Sequence, residues 1–235
     1  MLTNTNLFIK RHYVLIMIVL LIIFLISWLF VPSPYYQMDF YKPKKRILLI
    51  SSNIKELTYE KDVEKYLVNT DDIKYMYYDY DNISGYIDLV NLIERIMKEY
   101  PYEYESVGIM YHNYIPNTLQ LFKKDKRVID TKSQSVETRD RYDEFKLFAR
   151  CINEMGHING KEHVITDIDI ITCQLLPESD KDAFKYIHQQ TGISVNASTD
   201  PTGDGADWYL EQGYRDLVGT YFNEHIYESP IKLIA

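Results

Sequence analysis

Cysteine is scarce in this chain, which has only Cys151 and Cys173 among its 235 residues. Two thiols can form one bridge, but they cannot build the disulfide framework that supports many small secreted domains. Neither cysteine lies within a Cys/His spacing that is typical of a zinc finger. The sequence therefore predicts no metal centre and no disulfide scaffold, and it predicts no cofactor.

Basic residues are also too few for a nucleic-acid surface. Lysine and arginine together number 26, against 34 aspartates and glutamates, so the formal net charge at pH 7 is −8. A protein that binds nucleic-acid phosphates usually shows the opposite balance. We therefore expect no nucleic-acid partner.

Charge is absent altogether from residues 13–31, which are nearly all large and apolar. As a helix this run is about 28 Å long, close to the thickness of a hydrocarbon core. The alternative is a cleaved signal peptide, whose apolar region has about 7–15 residues and ends in small residues. Because this run is longer and ends in bulky residues, we expect an uncleaved transmembrane helix whose partner is the lipid bilayer. Lys10 and Arg11 before the span favour an extracytoplasmic domain.

The rest of the chain divides around that span. Residues 1–12 form a short flank, and residues 32–45, with three prolines, are typical of a stiff linker. Residues 46–235 suffice for one domain, in which short apolar runs alternate with amphipathic segments. This alternation predicts an α/β domain with a mostly parallel sheet and helices on both faces. A polar insertion at 123–141 lacks an apolar period, and we expect a surface loop there.

The individual elements follow from hydrophobic periodicity and from capping residues. Ser84 is the expected cap of the first long helix, and Gly192 is the expected end of the last one. The predicted strands are 46–52, 73–80, 106–111, 164–172 and 193–197, and the main predicted helices are 84–100, 143–155 and one that begins at Ser179. Ligand sites in such sheets lie at the carboxyl ends of the strands.

Two of those strand ends carry residue types that catalyse reactions. His112 follows one strand and Cys173 follows another. If the two strands are neighbours, imidazole and thiol lie at one edge, and a Cys–His pair is a common way to activate a nucleophile. The alternative is that Cys173 is a small buried packing residue and His112 a structural one.

Four stretches carry a resemblance to a known family. They are "GIMYHNYIPNTLQLF" at 108–122, "DIDIITCQLLP" at 167–177, "TGISVNASTDPTG" at 191–203 and "DWYLEQG" at 207–213. In order and spacing they resemble the bacterial domain of unknown function 4347, which occurs in large secreted adhesins. That family in turn resembles the caspase and gingipain class of cysteine peptidases, a three-layer α/β fold in which His and Cys follow adjacent strands.

The resemblance implies roles for individual residues. His112 and Cys173 occupy the dyad positions, and the backbone N–H of Asn113 supports an oxyanion. The family has glycine where this chain has Asn113 and Thr172. Asn tolerates a left-handed backbone better than most residues, whereas β-branched Thr does not. The two substitutions therefore put the activity of the site in doubt.

The segment "STDPTGDGADW" at 198–208 allows three interpretations. Its Pro, Gly and Asp residues are typical of a turn. The carboxylates of Asp200, Asp204 and Asp207 suit a hard cation such as calcium, although their spacing is not that of an EF-hand. The resemblance implies a third role, in which Ser198 and Asp200 line a substrate pocket that selects lysine or arginine.

Two functions from different classes remain open on the sequence. The first is a membrane-anchored cysteine peptidase, or a degenerate descendant of one, with a peptide substrate. The second is a non-catalytic interaction or adhesion module with a vestigial site and a protein partner. Asn113 and Thr172 are the residues on which the two hypotheses differ.

Overall fold

The computed structural model describes residues 45–57, 63–115, 117–124, 129–130, 136–155, 165–173, 175–176, 184–203, 206–231 and 233. The predicted transmembrane helix at 13–31 and the flank before it lie outside these residues. Within the part of the chain that is described, none of the helices combines the length and the apolar character that crossing a bilayer requires.

Five parallel strands form the central sheet. They are β1 (Lys45–Ser51), β2 (Ile73–Tyr78), β3 (Tyr104–Met110), β6 (Asp167–Ile171) and β7 (Ser194–Ala197), in the spatial order β2-β1-β3-β6-β7. Two small antiparallel pairs accompany it: β4 (Thr118–Leu119) with β5 (Ile129–Asp130), and β8 (Tyr209–Leu210) with β9 (Arg215–Asp216). The helices are α1 (Tyr86–Glu99), α2 (Val136–Met155) and α3 (Lys185–Thr191). The prediction of an α/β domain with a mostly parallel sheet is therefore confirmed.

The two faces of the sheet are covered differently. In β1, Ile47 and Leu49 point into a core shared with α1, α2 and α3, whereas Leu48 and Ile50 point into a second core. Among the described residues, the second core is closed by the 3-10 helices Lys55–Leu57 and Glu224–Glu228 and by the chain from Trp208 onwards. Strands buried on both faces explain the continuous apolar runs in the sequence.

The polar insertion is more regular than a surface loop. Within its described residues, β5 pairs with β4, which precedes the insertion, and α2 begins at Val136 rather than at Asp143. A helix adds a hydrogen bond for each residue once its first turn exists. The apolar stripe around Phe148 can therefore support additional polar turns that have no apolar period of their own.

The ends of the other helices follow the predictions only in part. Helix α3 does end at Gly192, whose φ of 74° is left-handed. Helix α1 instead has Gly85 at its N-cap, and that residue offers no side-chain cap. Ser84 still contributes, since both its N–H and its hydroxyl donate to the Asp88 carboxylate, at 2.8 and 2.7 Å. These hydrogen bonds lower the pKa of Asp88.

A buried carboxylate ties the second core to the sheet. Asp169 in β6 is fully buried and accepts hydrogen bonds from Asn196 Nδ2 at 2.6 Å, Arg215 Nε at 3.2 Å and the Tyr221 hydroxyl at 2.7 Å. Burial raises the pKa of Asp169, although Arg215 acts against that rise. Paired in this way, the carboxylate fixes the β8–β9 hairpin and the chain after it against the sheet.

Candidate active site at the carboxyl ends of β3 and β6

The strands that precede His112 and Cys173 are direct neighbours. Strands β3 and β6 pair in parallel with Met110 opposite Ile171, and the Tyr111 N–H donates to the Ile171 carbonyl at 3.2 Å. His112 and Cys173 each follow the last paired residue of their strand by two positions. The two residues therefore belong to one edge of the sheet.

The backbone of His112 is held by a side chain from the end of β1. Asn53 Oδ1 accepts from the His112 N–H at 3.0 Å, and Asn53 Nδ2 donates to the His112 carbonyl at 2.9 Å. The imidazole ring meets the Tyr114 ring edge-on, with centroids 4.9 Å apart. Its Nδ1 is buried and has no hydrogen-bond partner among the described residues. One ring nitrogen of this histidine is thus not used by the surrounding fold.

Cys173 lies under a loop rather than at an open edge. It is only 1% exposed, and its Sγ accepts a hydrogen bond from the Thr202 N–H at 3.3 Å. Burial raises the pKa of Cys173, the Thr202 N–H opposes this rise, and the Asp200 carboxylate adds to it. The raised pKa favours the protonated thiol, as expected of a packing cysteine and unlike an activated nucleophile at rest.

Asn113 contacts both the cysteine and a distant segment of the chain. Its side-chain Nδ2 donates to the Cys173 carbonyl at 3.4 Å, and its backbone N–H donates to the Leu233 carbonyl at 3.1 Å. The left-handed non-glycine residues in the described part of the chain are Asn117 and Tyr214. A left-handed turn at Asn113 is thus not found, and the absence of glycine causes no backbone strain there.

The loop after β7 uses its polar groups internally. The Ser198 hydroxyl donates to the Asp200 carbonyl at 2.8 Å, and the Asp200 N–H donates back to Ser198 Oγ at 3.2 Å. Thr199 is held by Glu211 Oε2, which accepts from its N–H at 2.7 Å. This loop reaches the thiol through the backbone of Thr202, which the sequence did not single out.

Three carboxylates cluster beside that loop. Oxygen atoms of Asp200, Asp207 and Glu211 lie within 4.8 Å of one another. Burial raises the pKa of Asp200 and of Asp207, and the Glu211 carboxylate raises both further. Such oxygens suit a hard cation, yet exposed acidic groups often cluster without one. Asp204, the third aspartate of the sequence hypothesis, lies outside the described residues.

A pocket opens at the carboxyl ends of β1 and β2. Its volume is about 390 Å³, and its wall includes Asn53 and Tyr114, the two residues that contact His112. The order of the strands reverses between β1 and β3, which is where parallel α/β sheets commonly bind ligands. The remaining lining residues are Ser52, Lys55, Tyr80, Asp81, Gln120 and Lys123.

Some residues of this edge had no signal in the sequence. Asn53 directly follows a strand, so the strand-end rule could have found it, but Thr202 and Leu233 make their hydrogen bonds with backbone atoms, which no residue type marks. The comparisons add no relative: no family model, no curated protein and no solved structure matches this chain. The resemblance to the domain of unknown function 4347 and to the caspase class therefore remains a prediction.

Proposed function

We propose that this chain is a membrane-anchored caspase-like cysteine peptidase whose site is closed in the resting state. The observation that carries the proposal is the pairing of β3 with β6, which brings the chain after Met110 alongside the chain after Ile171. The unused Nδ1 of His112 also supports it. A buried ring nitrogen of a purely structural histidine would be expected to be hydrogen-bonded.

The proposed chemistry needs only side chains and backbone groups of this edge. Cys173 transfers its proton to His112, and the sulfur attacks the carbonyl carbon of a peptide bond. The oxyanion that forms accepts a hydrogen bond from the Asn113 N–H, a kind of donor worth about 2.7–4 kcal/mol in other enzymes. His112 then gives its proton to the leaving amine, and water hydrolyses the thioester.

The proposed setting is the surface of a membrane. Residues 13–31 insert in the lipid bilayer, and the domain faces the extracytoplasmic side. The substrate is a peptide or protein segment that reaches the carboxyl edge of the sheet, and neither a metal nor a cofactor takes part in the reaction.

The second candidate is a non-catalytic interaction module with the same fold. The burial of Cys173 and its raised pKa favour it, because an inert packing thiol has these properties. In that case the carboxyl edge binds a protein partner without cleaving it.

The two candidates differ in how His112 affects the thiol. If the pair acts together, His112→Ala should slow the alkylation of Cys173 by iodoacetamide several-fold at neutral pH. Cys151 in α2 is the control within the same molecule, and its rate should not change. Peptide mapping by mass spectrometry measures both cysteines. An unchanged Cys173 rate in His112→Ala would rule out the dyad and leave the interaction module.

A further inference from the structure

We infer that the segment carrying Ile231 and Leu233 is an internal pseudo-substrate, with Leu233 in the position of the residue before the cleaved bond. This inference rests on the proposed function. It adds two properties to that function: the site is closed by its own chain, and it selects an apolar, leucine-like side chain.

The first support is the hydrogen bond at the oxyanion position. The Asn113 N–H donates to the carbonyl oxygen of Leu233 at 3.1 Å, while the Asn113 side chain holds the Cys173 carbonyl. A substrate carbonyl must bind a backbone N–H beside the nucleophile before it is attacked. The Leu233 carbonyl already occupies that donor, so a substrate cannot use it at the same time.

The second support is the surroundings of the Leu233 side chain. Leu233 and Ile231 are each only 1% exposed and belong to the same buried apolar cluster as Cys173 and Trp208. A residue whose carbonyl binds at the oxyanion position has its side chain in the adjacent specificity pocket. The surroundings of the Leu233 side chain are apolar, and we infer that they form this specificity pocket.

The third support is the position of Gly203, next to the segment that carries Ile231 and Leu233. A Cβ added to Gly203 would lie 3.6 Å from Leu233 Cγ and 3.1 Å from the Ile231 carbonyl oxygen. The residue before it, Thr202, donates its N–H to Cys173 Sγ. The loop after β7 thus contacts the thiol with one residue and the pseudo-substrate with the next.

This arrangement leads to a different specificity from the one implied by the sequence. Asp200 was expected to select lysine or arginine, and its Oδ1 accepts a hydrogen bond from Ser198 inside its own loop, at 3.3 Å. The residue whose carbonyl binds the Asn113 N–H is a leucine. We therefore expect preference for an apolar residue and rejection of a basic one.

The closing role is tested in the full chain by shortening Leu233. Leu233→Ala should speed the alkylation of Cys173 by iodoacetamide at least about tenfold, because the truncated side chain no longer holds the segment down. The matched control is Ile226→Ala, which removes as many carbons from an equally buried position of the same cluster. Equal acceleration in the two variants, or none in Leu233→Ala, would overturn the inference.

The specificity is tested with two peptide chloromethyl ketones on the Leu233→Ala chain. One carries acetyl-Ser-Pro-Ile-Lys-Leu, copied from residues 229–233, and the other ends in Arg instead. In either reaction the sulfur bonds to the methylene carbon, chloride leaves, and the thiol proton passes to the solvent. The leucine compound should label Cys173 at least about tenfold faster, in line with apolar pockets elsewhere. Equal labelling, or faster labelling by the arginine compound, would overturn the inference.

His112→Ala in the same background separates the two hypotheses. If it slows both ketones while the leucine preference persists, the dyad and the pseudo-substrate both stand. If the leucine preference persists without any effect of His112, the segment marks a binding groove for apolar peptides and the peptidase proposal fails. If His112 matters but the preference is absent, the peptidase proposal stands and the pseudo-substrate fails.

Discussion

The backbone N–H of Asn113 and the carbonyl oxygen of Leu233 are joined by a hydrogen bond of 3.1 Å. This contact connects the end of β3 with a segment that comes much later in the sequence. Beside it, the Asn113 side chain donates to the carbonyl of Cys173, and Cys173 is only 1% exposed. We infer that the segment supplying the Leu233 carbonyl covers the thiol.

The reactivity of Cys173 should depend steeply on pH. Its pKa is raised above the ordinary value of 9.0, so the thiolate is a small fraction at neutral pH and grows about tenfold for each pH unit. The rate of alkylation by iodoacetamide, measured by peptide mapping from neutral pH upwards, should still be rising at pH 9. A plateau below pH 8 would show that the resting thiol is already activated.

Gly213 should tolerate no side chain. Its φ is 89°, and a Cβ there would lie 1.8 Å from Asn196 Oδ1, whose amide is bonded to buried Asp169. Gly219 is a matched control, because its φ is 85° but a Cβ there would meet no atom within 4 Å. Gly213→Ala should therefore lower the free energy of unfolding by about 2 kcal/mol more than Gly219→Ala does. Equal losses in urea unfolding would mean that Asn196 moves aside freely.

Asp88 should stabilise the start of α1 only while it is ionised. Hydrogen bonds from Ser84 lower the pKa of Asp88 in the folded state. Its contribution to the free energy of unfolding is therefore present above the unfolded pKa of about 3.9, and it is lost as the pH falls through the folded pKa. Asp88→Asn should cost about 0.5 kcal/mol at neutral pH, a small value because the group is partly exposed. Urea unfolding at several pH values should show this difference shrinking towards pH 3. A difference that grows at low pH would contradict the argument.

Removing one buried hydroxyl should weaken the attachment of the second core to the sheet. The Tyr221 hydroxyl donates to Asp169 Oδ2 and lies 2.8 Å from Ser106 Oγ, all in fully buried surroundings. Tyr221→Phe leaves these partners short of a hydrogen bond and should cost about 1–3 kcal/mol. Tyr214→Phe is the control, because that ring is 81% exposed and its loss of a hydroxyl should be neutral. Thermal unfolding of both variants measures the difference.

The sequence predicts the sheet well because short apolar runs lie in its central strands. Residues such as Ile47 and Leu48 face different cores, so both must be apolar, and that pattern is easy to recognise. The start of α2 was harder to predict, since Val136 to Arg141 have no apolar period. Helix propagation from an amphipathic region leaves no such pattern in its polar extension.

The candidate site could be predicted only where side chains carry it. His112 and Cys173 stand out because they are reactive residue types after strands. The contacts around the thiol were not predictable, since Thr202, Asn113 and Leu233 make hydrogen bonds there with backbone atoms. Every residue has the same backbone groups, so no sequence pattern identifies the one that will be used.

The most direct test of a closed Cys–His site is a double-mutant cycle on the alkylation rate of Cys173. It compares the unmodified chain, Leu233→Ala, His112→Ala and the double variant, with iodoacetamide at neutral pH and Cys151 as the internal reference. We predict that Leu233→Ala strongly accelerates the labelling of Cys173. Much of this gain should disappear when His112 is also replaced, because the uncovered thiol is then no longer paired with the imidazole. Strictly additive effects of the two substitutions, or a Cys173 labelling rate that neither substitution changes, would contradict the closed Cys–His site.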